Sequence, residues 1–235
     1  RAAFLRERDV DLLIECPFTE GIRTMSPEDF AEKILVKKMR AKAIVVGTDF
    51  RFGKDRQGTP EFLADYAGRA GFTVDIIEKE KDAETGRDIS STFIREMLQE
   101  GKMERVTDLM GNPFFITGPV VHGRHLGHSL GFPTINQIPV PGKMLPPHGV
   151  YMSQTQVGGK SYQGISNIGV KPTVSGDKLG LETYLFDCSL DLYGQEARVE
   201  LLHFHRPEKK FASIEELKEQ VQKDISEADD FFYSS

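Results

Sequence analysis

The sequence predicts two domains of different class: an α/β domain over residues 1–111, then an all-β barrel with a C-terminal helix over residues 112–235. Three observations favour this division. Apolar runs alternate with capped helical segments in the first half, and short alternating segments rich in Gly and Pro fill the second. Between the two halves, Gly111-Asn112-Pro113 breaks the pattern.

The first half indicates a parallel sheet with helical crossovers. Three apolar runs have the length and composition of strands: residues 10–16, 43–47 and 72–77. The middle run, AIVVG, is typical of a strand that is covered on both faces. Two helix starts place a capping residue before proline: Ser26-Pro27 and Thr59-Pro60. Two shorter helices follow: residues 91–99 and 103–110.

The second half indicates five or six mostly antiparallel strands, which together favour a small barrel. The clearest strands are residues 115–121, 149–157, 161–168, 181–188 and 197–205. Val157-Gly158-Gly159-Lys160 predicts a hairpin turn between two of them. Ser213 and Glu216 form a capping box at the start of the last helix.

Composition limits the classes of function. The chain has 30 Lys and Arg against 36 Asp and Glu, a net charge of −6, which argues against a broad nucleic-acid surface. No apolar run approaches the length of a membrane helix, and two cysteines cannot form a disulfide framework. We therefore expect a cytoplasmic protein without nucleic-acid or membrane partners, although binding of a single nucleotide stays compatible with this charge, and the oligomeric state is left open.

Two segments of the first half are candidate binding sites. The GTDFRFG loop follows the AIVVG strand, where open α/β sheets bind ligands, and its candidates are Gly47, Asp49, Phe50, Phe52 and Gly53. The alternative is a loop whose aromatic rings cover the sheet edge. The ISSTFIR helix start could hold a phosphate through Ser90, Ser91, Thr92 and Arg95. The alternative there is an ordinary helix cap.

A glycine-rich loop over residues 118–136, GPVVHGRHLGHSLGFPTIN, could wrap a polyphosphate with backbone N–H groups. Its candidate glycines are Gly118, Gly123, Gly127 and Gly131. Thr134 and Asn136 point to one side of an extended chain, and their neutral oxygens suit Mg²⁺ bound with substrate phosphates. The alternative is an ordinary turn. The histidines of the loop lack the spacing and the cysteine partner of a common zinc site: His122, His125 and His128.

Glu182 lies in the alternating segment LETYLF, on the same strand face as Tyr184. If that face opens into a pocket, the carboxylate could act as a general base for a hydroxyl. If Leu181 and Leu185 face the core, Glu182 is simply a solvent-exposed strand residue, and periodicity leaves both possibilities open. The charge run RPEKKF, which begins at Arg206, is by default a solvated segment.

Taken together, these segments resemble one family in order, spacing and sequence: the bifunctional prokaryotic riboflavin kinase/FAD synthetases. The matching strings cover almost the whole chain: VVGTDFRFG (45–53), ISSTFIR (89–95), the 118–136 loop, GVY (149–151), SNIGVKPTV (166–174), LETYLFD (181–187), LYG (192–194) and RPEKKF (206–211). The resemblance implies that riboflavin and ATP give FMN, and that FMN and ATP then give FAD and pyrophosphate. It also implies a partial Rossmann-like nucleotidyltransferase domain followed by a six-stranded antiparallel kinase barrel.

The resemblance further implies a role for each candidate. In the kinase half, Glu182 would take the proton from the ribityl 5′-hydroxyl, Thr134 and Asn136 would position Mg²⁺, and Arg206 would border the flavin. The glycines of the 118–136 loop would bind ATP there. In the other half, the 47–53 loop would bind FMN and the 89–95 segment would hold the triphosphate of ATP.

One element of the family pattern is missing from this sequence. The first strand and the H-x-G-H loop, which binds ATP phosphates, do not precede Arg1, and the string His125-Leu126-Gly127-His128 lies inside the kinase loop. We expect the chain to be a fragment of a longer polypeptide that makes both FMN and FAD. The alternatives are a riboflavin kinase whose first half is a non-catalytic scaffold and a non-catalytic flavin-binding protein.

Overall fold

The structure is a computed structural model that describes Leu5 and residues 8–123, 131–173 and 176–233, without the side chains of residues 171–178. The chain divides into two compact units, Arg1–Lys81 and Asp82–Ser235.

The first unit is a small α/β structure. Its helices are α1 (Glu20–Arg23), α2 (Pro27–Phe30), which continues as a π-helix over Ala31–Lys38, and α3 (Pro60–Ala70). Its strands, β1 (Ala43–Gly47) and β2 (Thr73–Ile77), pair in parallel. Both expected helix caps are confirmed: the Ser26 hydroxyl accepts from the Asp29 N–H at 3.1 Å, and the Thr59 hydroxyl accepts from the Phe62 N–H at 3.2 Å.

One predicted strand of this unit is absent, and another is present with less burial than predicted. Residues 10–16 form no strand, and Leu12 is 72% exposed, because an apolar run becomes a strand only where a neighbouring strand pairs with it. The β1 strand is covered on one face only. Ile44 and Val46 pack with helix residues around Leu63, whereas Val45 is 64% exposed, since the described helices lie against the same face of the sheet.

Two helices precede the barrel of the second unit, as predicted: α4 (Ser91–Gln99) and α5 (Met103–Met110). Leu98, Met103 and Val106 are buried against barrel residues such as Ile116 and Leu201. The compact units therefore separate before these helices, whereas the functional boundary at 111/112 stays a prediction.

Six antiparallel strands form the sheet of the second unit, in the order β3-β8-β5-β6-β7-β4. The strands are β3 (Phe114–Pro119), β4 (Thr134–Gln137), β5 (Gly149–Val157), β6 (Lys160–Thr173), β7 (Gly176–Leu185) and β8 (Glu196–Pro207). The predicted hairpin is confirmed, with Val157 opposite Lys160 and φ of 60° at Gly158 and 75° at Gly159.

The two edges of the barrel sheet meet at a seam. The Val121 N–H donates to the Asn136 carbonyl at 2.8 Å, which joins the chain after β3 to β4. The buried Gln137 amide donates to the Gly118 carbonyl at 2.7 Å and to the Ala197 carbonyl at 2.9 Å. These bonds hold β4 beside β3 and β8, which fixes the strand that carries Thr134 and Asn136.

Helix α6 (Ile214–Tyr233) covers part of the outer face of the barrel. The Ser213 hydroxyl accepts from the Glu216 N–H at 3.2 Å, which confirms the predicted cap. Ile225 and Ala228 pack on Val150, Met152 and Ile165 of the sheet. Among the described residues, no helix combines the length and the apolar character that crossing a bilayer requires.

Candidate active site

A single row of residues crosses the outer face of the barrel and contains three of the predicted kinase residues. Each member lies directly opposite the next on the neighbouring strand: Asn136, Glu182, Asn167, Val150 and Arg206. Directly opposite residues of antiparallel strands point to the same face, with Cβ atoms about 5 Å apart. The sheet thus brings together side chains that are far apart in the sequence.

Glu182 points outward from the barrel, yet it is not fully exposed to solvent. Leu181 and Leu185 do face the interior, with 0% and 4% exposure, so Glu182 points outward. The outward face is nevertheless crowded here, because Asn136 and Asn167 flank Glu182 on both neighbouring strands, and the carboxylate residue is half-buried. Glu182 is therefore held on a partly enclosed polar surface.

A chain of buried hydroxyls lies on the inner face behind this row. The Ser166 hydroxyl hydrogen-bonds the hydroxyls of Ser153 at 2.8 Å and Thr183 at 2.7 Å, and all three residues are at most 1% exposed. Ser166 precedes Asn167, and Thr183 follows Glu182. Because buried hydrogen bonds are costly to leave unmade, this chain holds β5, β6 and β7 in register behind the outward side chains.

Gly123 packs closely on the side chain of Asn136. A Cβ atom at Gly123 would lie 2.7 Å from the Asn136 Cγ, closer than van der Waals contact allows. Asn136 is 7% exposed, so its carboxamide is enclosed between the backbone at Gly123 and strand β7. This close approach explains why glycine is needed at this position of the predicted ATP loop.

The remaining loop candidates have varied surroundings. Gly118 lies within β3, and Gly131 has φ of +88°, a conformation that favours glycine. His122 stacks on Tyr193 with ring centroids 3.8 Å apart. Gly127, His125 and His128 lie outside the described residues.

Aromatic side chains border the polar row. Phe132 meets Tyr184 edge-on at 5.7 Å, and Tyr184 meets Phe186 at 5.6 Å. Phe186 in turn meets Phe232 of α6 at 6.3 Å. Since Tyr184 lies opposite Thr134, this chain of rings crosses the row next to the one that contains Glu182.

Arg206, the last member of the row, is bound to helix α6. Its Nε donates to Asp224 Oδ1 at 2.8 Å and its Nη2 donates to Asp224 Oδ2 at 2.6 Å, in a two-pronged ion pair. Asp224 is 1% exposed, and the Gln220 amide also donates to it, at 2.9 Å. The predicted flavin-bordering residue is thus also the anchor of α6 on the barrel.

Oxygen donors suited to Mg²⁺ lie together on the outer face of β4. The Thr134 hydroxyl and the Asn136 carboxamide lie on one face, with the Glu182 carboxylate opposite, a set that fits a hard cation bound with phosphate oxygens. A second group, in which His205, Asp224 and Glu227 offer atoms within 4.8 Å of one another, fits a metal poorly. Both oxygens of its Asp224 already accept from the Arg206 guanidinium.

The predicted FMN loop lies at the carboxyl ends of β1 and β2 in the first unit. Asp49 pairs with Lys79 at 2.9 Å, and this hydrogen bond lowers the pKa of the Asp49 carboxyl. Phe52 is 7% exposed and packs in the core, as the alternative interpretation supposed, whereas Phe50 stacks on it at 5.5 Å and is half-buried. At Gly53, with φ of +70°, a Cβ would lie 2.8 Å from the Pro27 nitrogen.

The predicted triphosphate segment forms the start of α4 in the second unit. The Ser90 hydroxyl accepts from the Phe93 N–H at 3.2 Å, so this residue is a helix cap, as the alternative supposed. Ser91, Thr92 and Arg95 are exposed. Arg87 lies over the Phe93 ring at 4.1 Å, beside the same helix start.

Sequence reasoning missed two residues at these sites. Asn167 lies inside the SNIG motif, but only the pairing of β6 with β7 places it beside Glu182. Lys79 follows β2 as Asp49 follows β1, and the rule that loops at the carboxyl ends of parallel strands meet could have found it.

Comparison with known proteins defines the class of the molecule. A riboflavin kinase family model matches residues 110–232, and an FAD synthetase family model matches residues 1–93. The barrel thus corresponds to a flavokinase and the α/β segment to a nucleotidyltransferase. The predicted boundary at 111/112 falls next to the start of the kinase match.

Several relatives match over nearly the whole chain, and each is named bifunctional riboflavin kinase/FMN adenylyltransferase. The Escherichia coli K12 protein is 38% identical over 230 residues, covering 97% of this chain and 72% of its own length. The Bacillus subtilis protein is 35% identical over 232 residues, with the same two coverages. This chain belongs to the family of bifunctional riboflavin kinase/FMN adenylyltransferases.

A solved structure supports the fold over the same extent. A Streptococcus pneumoniae protein titled a macrolide-efflux protein has a TM-score of 0.84 and 30% identity, over 96% of this chain and 72% of that one. Its title differs from the names of the curated relatives. The comparison contributes the fold, which spans both the α/β segment and the barrel.

Proposed function

We propose that the barrel of this chain transfers the γ-phosphoryl group of ATP to the ribityl 5′-hydroxyl of riboflavin. We also propose that the 47–53 and 89–95 segments serve the adenylylation of FMN to FAD. The observation that carries the kinase proposal is the row on the barrel, in which a half-buried carboxylate lies directly opposite an enclosed carboxamide. Family membership supports both activities.

The Glu182 carboxylate acts as the general base of the kinase reaction. It accepts the proton of the 5′-hydroxyl as that oxygen forms its bond to the γ-phosphorus, while the bond from the γ-phosphorus to the bridging oxygen breaks and ADP leaves. Thr134 and Asn136 would hold Mg²⁺, which supplies neutralisation of the phosphate charge. Backbone N–H groups of the glycine loop bind the phosphates, with Gly123 packed on Asn136.

The chain of aromatic rings that passes through Tyr184 is suited to the flavin ring. Half-buried rings beside a polar row offer an apolar wall for the isoalloxazine, while the ribityl chain reaches Glu182. Arg206 borders this face and, through Asp224, sets the position of α6. Its contribution to flavin binding is therefore at least partly indirect.

For adenylylation, two side chains of the predicted FMN-binding set can reach a ligand: Asp49 is exposed and Phe50 is half-buried. Phe50 offers a ring face for stacking, Gly47 ends β1 before it, and Gly53, with φ of +70°, allows the sharp turn after it. Ser91, Thr92 and Arg95 are exposed at a capped helix start, where they could bind the triphosphate of ATP.

A second candidate function is riboflavin phosphorylation alone, with the first half as a scaffold. One observation favours it: the described sheet of the first unit has two strands, and Val45 on its open face is 64% exposed. The two functions differ in their products, because only the bifunctional chain makes FAD.

The test is a product assay on the 235-residue chain with riboflavin, ATP and Mg²⁺, separating FMN from FAD by chromatography. FMN together with FAD supports both activities. FMN alone supports the kinase and favours the scaffold alternative for this chain. Absence of both products from a folded sample contradicts the kinase proposal and favours a non-catalytic flavin-binding protein.

A further inference from the structure

We infer that Asn167 contacts the substrate in the kinase site, where its carboxamide hydrogen-bonds the ribityl chain of riboflavin. This inference rests on the proposed kinase function and deepens it. Asn167 has no role in the sequence-based assignment of the site. Its position in the row between Glu182 and Val150 carries the argument.

Strand pairing places Asn167 beside the proposed base. Asn167 is directly opposite Glu182, so their Cβ atoms are about 5 Å apart on the same face. The residue is half-buried, and the hydroxyl of the preceding Ser166 is tied to Ser153 and Thr183 on the inner face. These bonds fix the backbone at Asn167, so its side chain starts from a defined point beside the proposed base.

A carboxamide is chemically suited to the ribityl chain. The ribityl chain is a polyol whose hydroxyls each donate and accept hydrogen bonds, and a carboxamide offers both functions without a charge. When the terminal hydroxyl lies at Glu182, the adjacent strand about 4.8 Å away is within reach of the other hydroxyls.

The other members of the row are less suited to bind a polyol. Val150 offers no polar group, and the Arg206 guanidinium is engaged by Asp224. Asn136 lies on the opposite side of Glu182, enclosed beneath Gly123. On the α6 side of Glu182, Asn167 is therefore the member of the row suited to a polyol.

The test compares riboflavin with lumiflavin, which carries a methyl group in place of the ribityl chain. The rate of FMN formation is measured with riboflavin as substrate and lumiflavin as competitive inhibitor. The KM for riboflavin and the inhibition constant of lumiflavin then both report on the kinase site. For Asn167→Ala we expect the KM for riboflavin to rise about fivefold to tenfold, the value of one lost hydrogen bond, while the inhibition constant of lumiflavin stays within about twofold. Asn167→Ser is the second variant, for use if the alanine variant folds poorly. The serine side chain is too short to reach the ribityl chain, so we expect the same change in KM and the same unchanged inhibition constant.

Gln163→Ala is the matched control, because Gln163 is an amide on the same strand and the same face, opposite Gln154 instead of Glu182. It should change neither constant. A parallel rise of both constants in the Asn167 variants, or a fall in kcat with a shifted pH profile and an unchanged KM, overturns the ribityl contact. If the unmodified chain makes no FMN, the kinase function itself fails, and this inference fails with it.

Discussion

Asn136 on β4 lies directly opposite Glu182 on β7, so one of the two residues proposed to hold Mg²⁺ forms a cross-strand pair with the residue proposed as the base. They come from a glycine-rich loop and from a separate strand of the barrel. The register of this one pair therefore decides whether the metal-bound phosphate and the acceptor hydroxyl can meet. A slip by one residue would turn Glu182 into the core.

Replacing Glu182 by Gln should lower the turnover of FMN formation by about 100-fold or more, because the amide cannot accept the proton of the hydroxyl. The KM for riboflavin should change little, since the side-chain shape is kept. Initial rates of FMN formation, followed by chromatography, measure the effect. The exposed Glu196→Gln is the control, and turnover above about a tenth of the unmodified value would contradict the assignment.

Replacing Thr134 by Ala should raise the Mg²⁺ concentration needed for half-maximal kinase activity, since an oxygen ligand is lost. Thr134→Ser keeps the hydroxyl and should restore most of the Mg²⁺ response. Kinase rates across a Mg²⁺ titration at fixed ATP separate the two variants. Identical titrations for alanine and serine would refute the metal role of the hydroxyl.

Replacing Gly123 by Ala should reduce kinase turnover, because the new Cβ would overlap the Asn136 carboxamide and displace it. We expect a loss of about tenfold or more, from misplacement of a metal ligand. Gly68→Ala is the control, since nothing lies within 4 Å of a Cβ there. A fully active Gly123→Ala chain would show that Asn136 need not hold its position.

Replacing Asp82 by Asn should destabilise the second unit at neutral pH. Asp82 is 5% exposed; hydrogen bonds from Thr85 and then from Arg105, the latter at 2.5 Å, lower the pKa of its carboxyl. A lowered pKa contributes stability above the unfolded value of about 3.9, and the contribution is lost as the pH falls through the folded pKa.

Thermal unfolding of Asp82→Asn and the unmodified chain between pH 3 and 7 tests this, and the difference should be largest near neutrality and shrink below about pH 4. Asp108→Asn is the control. The Asp108 carboxylate contacts the same Arg105 at 3.4 Å, but its side chain is 64% exposed, so this substitution should change stability little. A difference that stays constant down to pH 3 would argue against the linkage.

Replacing Asp224 by Asn should loosen α6, because the Arg206 guanidinium would lose the carboxylate that binds it in two places. We expect the free energy of unfolding to fall by about 2–4 kcal/mol, somewhat reduced because the Arg206 side chain is 20% exposed. Denaturant titration measures the change. Asp230→Asn on the exposed side of α6 should be neutral, and an equal loss there would contradict the role of the pair.

Local sequence patterns predicted the local structure well. The caps at Ser26, Thr59 and Ser90 are present, because a capping hydroxyl acts within three residues of its own position. The Gly158-Gly159 turn also follows from its residues alone. Predictions that depend on a partner strand elsewhere in the chain were less reliable. The apolar run over residues 10–16 was predicted as a strand, but in the described structure no strand pairs with it.

By itself, the sequence determined the family, the helix starts, the hairpin turn and the alternation that sets Glu182 apart from Leu181. These depend on residues that lie close together along the chain. The tertiary structure alone decided that Asn167 lies beside Glu182, that Phe52 is buried in the core and that Arg206 forms an ion pair with Asp224. Strand register and burial depend on which distant segments pack together, and no local period contains that information.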